Sequence, residues 1–163
     1  MNKICIIIPT IGKRREGLET SLKSALATDP TSVSKIIILD NTQDVSESSF
    51  IQKLSTNNSD NRLSIIKYPE RLEMSDSWNK PLKEIEEDWI LYLHDDDELI
   101  PKRFNNAVKG KLDQKFSFIA FDYLVRSQRK QNTTERKIIG LSALPGTGKT
   151  TLGLFVEELS LHL

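Results

Sequence analysis

Four consecutive acids, Asp95, Asp96, Asp97 and Glu98, follow the apolar run Trp89 to Leu93. Five apolar or aromatic residues in a row read as a short strand buried on both faces. Like charges crowded against the end of such a strand repel one another unless a cation neutralises them. A divalent ion does this, and hard oxygen donors with no cysteine and no second histidine nearby favour Mg2+ or Mn2+ over zinc. On this reading the metal ligands are Asp95, Asp96 and Asp97. A plainer arrangement is a solvated acidic turn leading into a helix opened by Pro101, since acids are favoured in a first helical turn.

A second stretch competes for phosphate. Residues 143–150, Ala-Leu-Pro-Gly-Thr-Gly-Lys-Thr, depart from the phosphate-binding loop G-x-x-x-x-G-K-[ST] only in having Ala143 for the first glycine. Ile138 to Leu141 supply a candidate preceding strand, and Leu152, Phe155, Val156 and Leu159 an apolar face for a following helix. Backbone amides there could cradle a phosphate, assisted by Lys149 and Thr150. Only 13 residues follow Thr150, too few for the further strands and the metal-holding acid of a P-loop nucleotidase. The competing reading of Pro145, Gly146 and Gly148 is a loop leading into the last helix.

Both stretches need a scaffold, and the rest of the chain describes one. Lys3 to Ile8 is an apolar, β-branched strand expected to stop at Pro9, which cannot donate to a ladder. Leu18, Leu22 and Leu26 mark an amphipathic helix. Lys35 to Leu39 is a second strand closed by Asp40 and Asn41. Asp44 to Ser55 carries a weaker helical pattern, and Leu63 to Tyr68 is a third strand. From Met74, the residues Trp78, Leu82 and Ile85 share a helical face, with Ser75 or Asp76 as the expected cap. Phe104, Val108 and Leu112 mark a helix after Pro101, Phe116 to Val125 a fifth strand, and Arg126 to Arg136 a charged loop.

Alternation of strand and helix implies an α/β fold, a mostly parallel sheet with helices on both faces joined by right-handed crossovers. Ligands of such sheets sit outside the carboxyl ends of the strands. Pro9-Thr10, Asp40-Asn41 and Asp95 to Asp97 all fall there. Each could be no more than a turn or a cap, but their convergence on one rim favours a site.

Composition excludes other classes. Lys plus Arg and Asp plus Glu number 23 each in 163 residues, so nothing in the charge suggests a nucleic-acid partner. The single cysteine, Cys5, lies within an apolar run and reads as a small buried hydrophobe. No stretch approaches the ~20 apolar residues of a transmembrane segment. The expected location is the cytoplasm, including the inner face of the membrane as a peripheral site.

The motifs Ile-Ile-Ile-Pro-Thr, Ile-Ile-Leu-Asp-Asn, Ser-Trp-Asn-Lys-Pro-Leu and Leu-His-Asp-Asp-Asp-Glu-Leu-Ile-Pro, in that order, resemble the nucleotide-binding half of a family-two glycosyltransferase. The resemblance covers residues 3 to 125 and implies a Rossmann-like GT-A fold. It divides the chain into a nucleotide-sugar-binding domain, 1–125, and a remainder, 126–163, packed on it, with the acceptor-binding half truncated. It implies inverting transfer of a sugar from a nucleotide-sugar donor, a UDP-sugar, to a saccharide or lipid-linked acceptor, with Mn2+ or Mg2+ as cofactor. Carried over by position, Pro9 and Thr10 meet the nucleoside, Asp40 accepts from the base, and Asn79 lines the donor pocket. Trp78 stands where many members carry arginine, leaving Arg14 or Arg15 for the diphosphate. Asp95 to Asp97 match the Asp-x-Asp region in either of two registers, Asp95 and Asp96 also contacting nucleotide; in one register His94 takes the first acidic position. The base that would activate the acceptor is not assigned to any residue. Two alternatives remain: a nucleotide-binding fragment without turnover, and a P-loop ATP- or GTP-binding protein using residues 143–150.

Overall fold

In the computed structural model, β1 (Ile4–Thr10) is the strand on which the others are laid, with β2 (Val33–Asp40) on one side and β4 (Trp89–Tyr92) on the other, both parallel to it. The structure describes residues 2–113, 118–124 and 136–143. The expected charged loop before Arg136, the Gly-rich loop beyond Ala143 and the C-terminal helix lie outside the described residues.

Chain order is β1, α1 (Arg15–Leu26), β2, α2 (Val45–Thr56), β3 (Leu63–Lys67), α3 (Met74–Asn79), a 3-10 turn (Lys80–Glu84), β4, α4 (Pro101–Val108), β5 (Phe118–Leu124) and β6 (Arg136–Ala143). The sheet runs β3-β2-β1-β4-β6-β5. The first three strands step outward in one direction, and β4 then returns to the other side of β1. That reversal between β1 and β4 opens the crevice in which doubly wound sheets bind ligands.

Strand alternation splits the core in two. Ile4, Ile6 and Ile8 of β1 and Ile36 and Ile38 of β2 face Leu18 and Leu22 of α1, Ile51 of α2 and Phe104 of α4. Cys5, Ile7, Ile37, Leu39 and Ile90 face the opposite way, toward Ile85 and the partly buried Leu82 and Tyr92. Burial pushes the Cys5 thiol up to about 12, as suits a packing residue.

Differences from the expected bounds have local causes. β1 runs through Pro9 to Thr10 because the missing Pro9 donor faces the β4 side, where pairing has ended at Tyr92. Thr10 O, facing the other way, accepts from Asn41 N at 2.9 Å. The cap of α3 is Glu73, with no side-chain hydrogen bond, so Ser75 and Asp76 lie inside the helix. Pro81 ends the α-helix and begins the 3-10 turn, whose first turn tolerates it. Asp44 caps α2 by accepting from Ser46 N and Glu47 N. Asp122 pairs with Ile138 inside the β5–β6 ladder.

β6 is antiparallel to both its neighbours, and Ala143 lies opposite Trp89, the first residue of β4. It therefore ends at the rim away from the acidic run. The strand expected before the Gly-rich loop exists, and its last residue lies at the opposite end of the sheet from Thr10, Asp40 and Asp95.

Arg62, just before β3, ties the outer strands together. Its side chain is 9% exposed and donates to Leu26 O at 2.7 Å, Thr28 O at 3.2 Å and Val33 O at 3.4 Å, with Asp60 Oδ2 at 2.7 Å. The end of α1 and the start of β2 thus share one planar donor fork. We expect Arg62→Ala to lower stability by roughly 2 kcal/mol in urea unfolding, less than a fully buried pair would cost because Asp60 is partly exposed. Arg62→Lys, with one point charge in place of a fork, is expected to recover less than half of that.

Candidate active site

Three loops meet at the carboxyl rim: 11–14 after β1, 41–44 after β2 and 93–100 after β4. Thr10 and Asp40 are register partners. The Thr10 hydroxyl donates to Asp95 Oδ2 at 2.7 Å while accepting from Gly12 N at 3.0 Å. One buried hydroxyl therefore joins the ends of β1 and β4 across the crevice.

Helix α1 holds the acidic turn from beneath. Its residues Gly17, Ser21 and Ser24 are spaced to share one face. A side chain on Gly17 would place its Cβ 2.5 Å from Asp95 O. Ser21 Oγ lies 2.9 Å from His94 O and 2.5 Å from Asp97 O, its proton shared between them. Ser24 Oγ accepts from Leu99 N at 3.0 Å. The turn closes on itself through Asp97 N to His94 O at 3.1 Å. With its backbone tethered at these points, the turn cannot relieve repulsion among its carboxylates by spreading.

That geometry sorts the acids. Asp95 is buried, and its carboxylate meets Thr10 and Arg14 Nη1, the latter at 3.2 Å. Among the described residues, the group whose ligand atoms all lie within 4.8 Å of one another is His94, Asp96 and Asp97. Asp96 and Asp97 were expected there. Asp95 was too, but its side chain turns inward, while the imidazole of His94 takes the remaining place. Trp78 supports that imidazole, edge to face at 5.3 Å, and stacks on Tyr92 at 4.9 Å. The Tyr92 hydroxyl donates to Trp78 O, and burial raises its pKa above the ordinary value.

Asp40 is likewise turned inward. Its Oδ1 accepts from Thr42 N at 3.0 Å, and its Oδ2 from Ser48 Oγ at 2.6 Å and Lys67 Nζ at 3.0 Å. Asn41 Nδ2 donates to Leu72 O and Asn41 Oδ1 accepts from Leu72 N, both at 2.8 Å, which draws the loop carrying Arg71 to the rim. A cleft of about 610 Å³ opens between the β1 and β2 loops, lined by Ile11, Lys13, Arg15, Asn41, Asp44 and Arg71 among others. Arg15 grips Glu47 through two 2.9 Å bonds, which raise the guanidinium pKa. The Ser46 hydroxyl and the Glu47 and Ser46 amides lower that of Asp44. Pro9 ends beside Leu39, and Asn79 closes α3 next to Trp78.

Sequence reading missed Gly17, Ser21, Ser24, Lys67 and Arg71. The first three left a legible signal, small residues at i, i+4 and i+7 on a helix otherwise packed by leucines. Gly17→Ala ordinarily gains ~1 kcal/mol of helix propensity. Here we expect a lower melting temperature instead, because the new methyl meets backbone.

A family model described as glycosyl transferase family 2 matches residues 5–157, running on through the Gly-rich segment. No curated protein sequence matches the chain. Among solved structures, a mannosyltransferase from Pyrobaculum calidifontis, PcManGT, in complex with GDP-Man and Mn2+, is similar with a TM-score of 0.62 and 17% identity, over 72% of this chain and 34% of that one. S. aureus TarS, residues 1–349, in complex with UDP-GlcNAc, gives 0.54 and 18%, over 66% and 30%. TarS 1–349 in a second structure gives 0.53 and 19%, over 66% and 31%. At these identities the likeness is one of fold, and the chain spans about a third of the length of the chains it matches.

Proposed function

The chain belongs to glycosyl transferase family 2, and from that premise we propose that it binds a nucleoside diphosphate sugar, UDP-linked, together with a divalent metal, for inverting transfer of the sugar to an acceptor hydroxyl. The observation that carries this reading is the group His94, Asp96 and Asp97 at the end of β4, beside the crevice where the strand order reverses. The GDP-Man and UDP-GlcNAc held by two proteins of the same fold support a nucleotide-sugar donor.

The donor set fits a divalent ion. Two carboxylates and one imidazole suit Mn2+ better than Mg2+, which prefers oxygen ligands and retains its waters. His94, Asp96 and Asp97 would hold such an ion, which would supply positive charge to offset that of the leaving diphosphate. The remaining roles fall to side chains of the rim. Lys13 and Arg71 face the cleft and attract the anionic nucleotide, while Arg15 on the same wall is held by Glu47. Thr10 and Asp95 hold the loop after β1 against the acidic turn. Asp40 belongs to the nucleotide site by fixing Thr42 and Lys67 at its edge; a base N–H gains Asp40 Oδ2 only by displacing Ser48 or Lys67. Pro9 shapes the exit of β1, and Asn79 lines the donor side next to Trp78. A saccharide or lipid-linked hydroxyl is the acceptor in this reading.

Titration with UDP, with and without EDTA, tests the proposal. We expect chelation and Asp96→Ala each to weaken UDP binding at least about tenfold, or ~1.4 kcal/mol, and Lys149→Ala to leave it nearly intact. ATP binding that is lost in Lys149→Ala but kept in Asp96→Ala would instead favour a nucleotide site at residues 143–150. UDP affinity indifferent to both EDTA and Asp96→Ala removes the metal from the site.

A further inference from the structure

The acidic turn already carries a cation. Arg14 Nη1 lies 3.2 Å from Asp95 Oδ1 and 2.9 Å from Asp96 Oδ2, and the side chain is 58% exposed. The two carboxylates it bridges differ in freedom. Asp95 is buried and pinned by the Thr10 hydroxyl. Asp96 is 48% exposed and also belongs to the group with His94 and Asp97. Asp96 thus pairs with the guanidinium and is also a member of the group proposed above to hold a divalent ion.

We infer that Arg14 is a displaceable stand-in for the metal: it neutralises Asp95 and Asp96 while no nucleotide is bound, and yields Asp96 to the ion when the nucleotide's diphosphate arrives to take the guanidinium. The inference rests on the metal-and-nucleotide reading above. Its physical basis is charge. A guanidinium within 3 Å of Asp96 opposes a divalent ion at the same carboxylate, and a half-exposed ion pair is weak enough to be exchanged. A diphosphate is the natural alternative partner, because its oxygens match the guanidinium fork in pairs. Arg14 is also well placed to turn. It sits at the start of α1 without capping the helix through its side chain, and its neighbours Lys13 and Arg15 both line the cleft. Metal and nucleotide then help each other bind, since each removes the obstacle to the other.

The effects of removing Arg14 have opposite signs on the two ligands. Mn2+ binding followed by electron paramagnetic resonance, and UDP binding by calorimetry at saturating Mn2+, should be measured on the wild-type protein, Arg14→Ala and Arg14→Lys. We expect Arg14→Ala to bind Mn2+ alone about fivefold more tightly, in keeping with the strength of an exchangeable ion pair, and UDP about tenfold more weakly. Arg14→Lys should fall between, keeping the charge without the fork. Thermal unfolding of each variant confirms that the fold is retained. Mn2+ affinity that is unchanged or weaker in a folded Arg14→Ala, with metal-dependent UDP binding intact in the wild type, overturns the exchange and leaves Arg14 as a strut of the turn, the functional reading standing. Wild-type protein that takes up neither Mn2+ nor UDP overturns both.

Discussion

The contact between α1 and the backbone of residues 94–99 is the constraint on which the site depends. Four acids in a row are a liability at the end of a buried strand, where spreading the chain would be the easy relief. Ser21 and Ser24 prevent it by binding the carbonyls of His94 and Asp97 and the amide of Leu99, and Gly17 lets the helix approach Asp95 O without a Cβ between. Backbone held this closely leaves side-chain rotation and counter-charge as the means of accommodating repulsion. The result is a division of labour among adjacent acids: Asp95 inward to Thr10 and Arg14, Asp96 and Asp97 grouped with His94.

The same logic governs the rest of the rim. Asp40, at the end of β2, is buried and balanced by Lys67 from β3, so its charge is spent on joining two strands and a loop. Glu47 is balanced by Arg15 across the cleft wall. Asp40 and Asp95, the two buried carboxylates of this rim, are thus each paired, while His94, Asp96 and Asp97 group together at the surface of the turn. Polar groups that look equivalent along the chain become unequal once burial assigns them partners, because an unpaired buried charge is costly and a paired one is not free to bind elsewhere.

Strand direction separates the end of β6 from the rim that carries the acidic turn. Sites in open α/β sheets form at the carboxyl rim of the parallel strands, where several loops converge. β1, β2 and β4 all deliver residues to that rim. β6 runs the other way and delivers Ala143 opposite Trp89. The end of β6 thus lies at the opposite rim from Thr10, Asp40 and the acidic turn.

Much of this was legible in the sequence. The apolar runs Ile4 to Ile8, Ile36 to Leu39 and Trp89 to Leu93, the Leu18–Leu22–Leu26 spacing and the alternation of the two periods are local properties. They are enough to imply a parallel sheet and to put Thr10, Asp40 and the acidic turn on one rim, because hydrophobic period and chain order alone decide which strand ends face the same way. Which way each side chain turns at that rim was decided by tertiary structure. Asp95 could not be told from Asp96 and Asp97 by residue type, nor Asp40 recognised as the partner of Lys67, which lies 27 residues away. The antiparallel course of β6 was equally invisible, since a short apolar run reads the same in either direction. Those choices rest on burial and on contacts between residues remote in the chain, and no local pattern carries them.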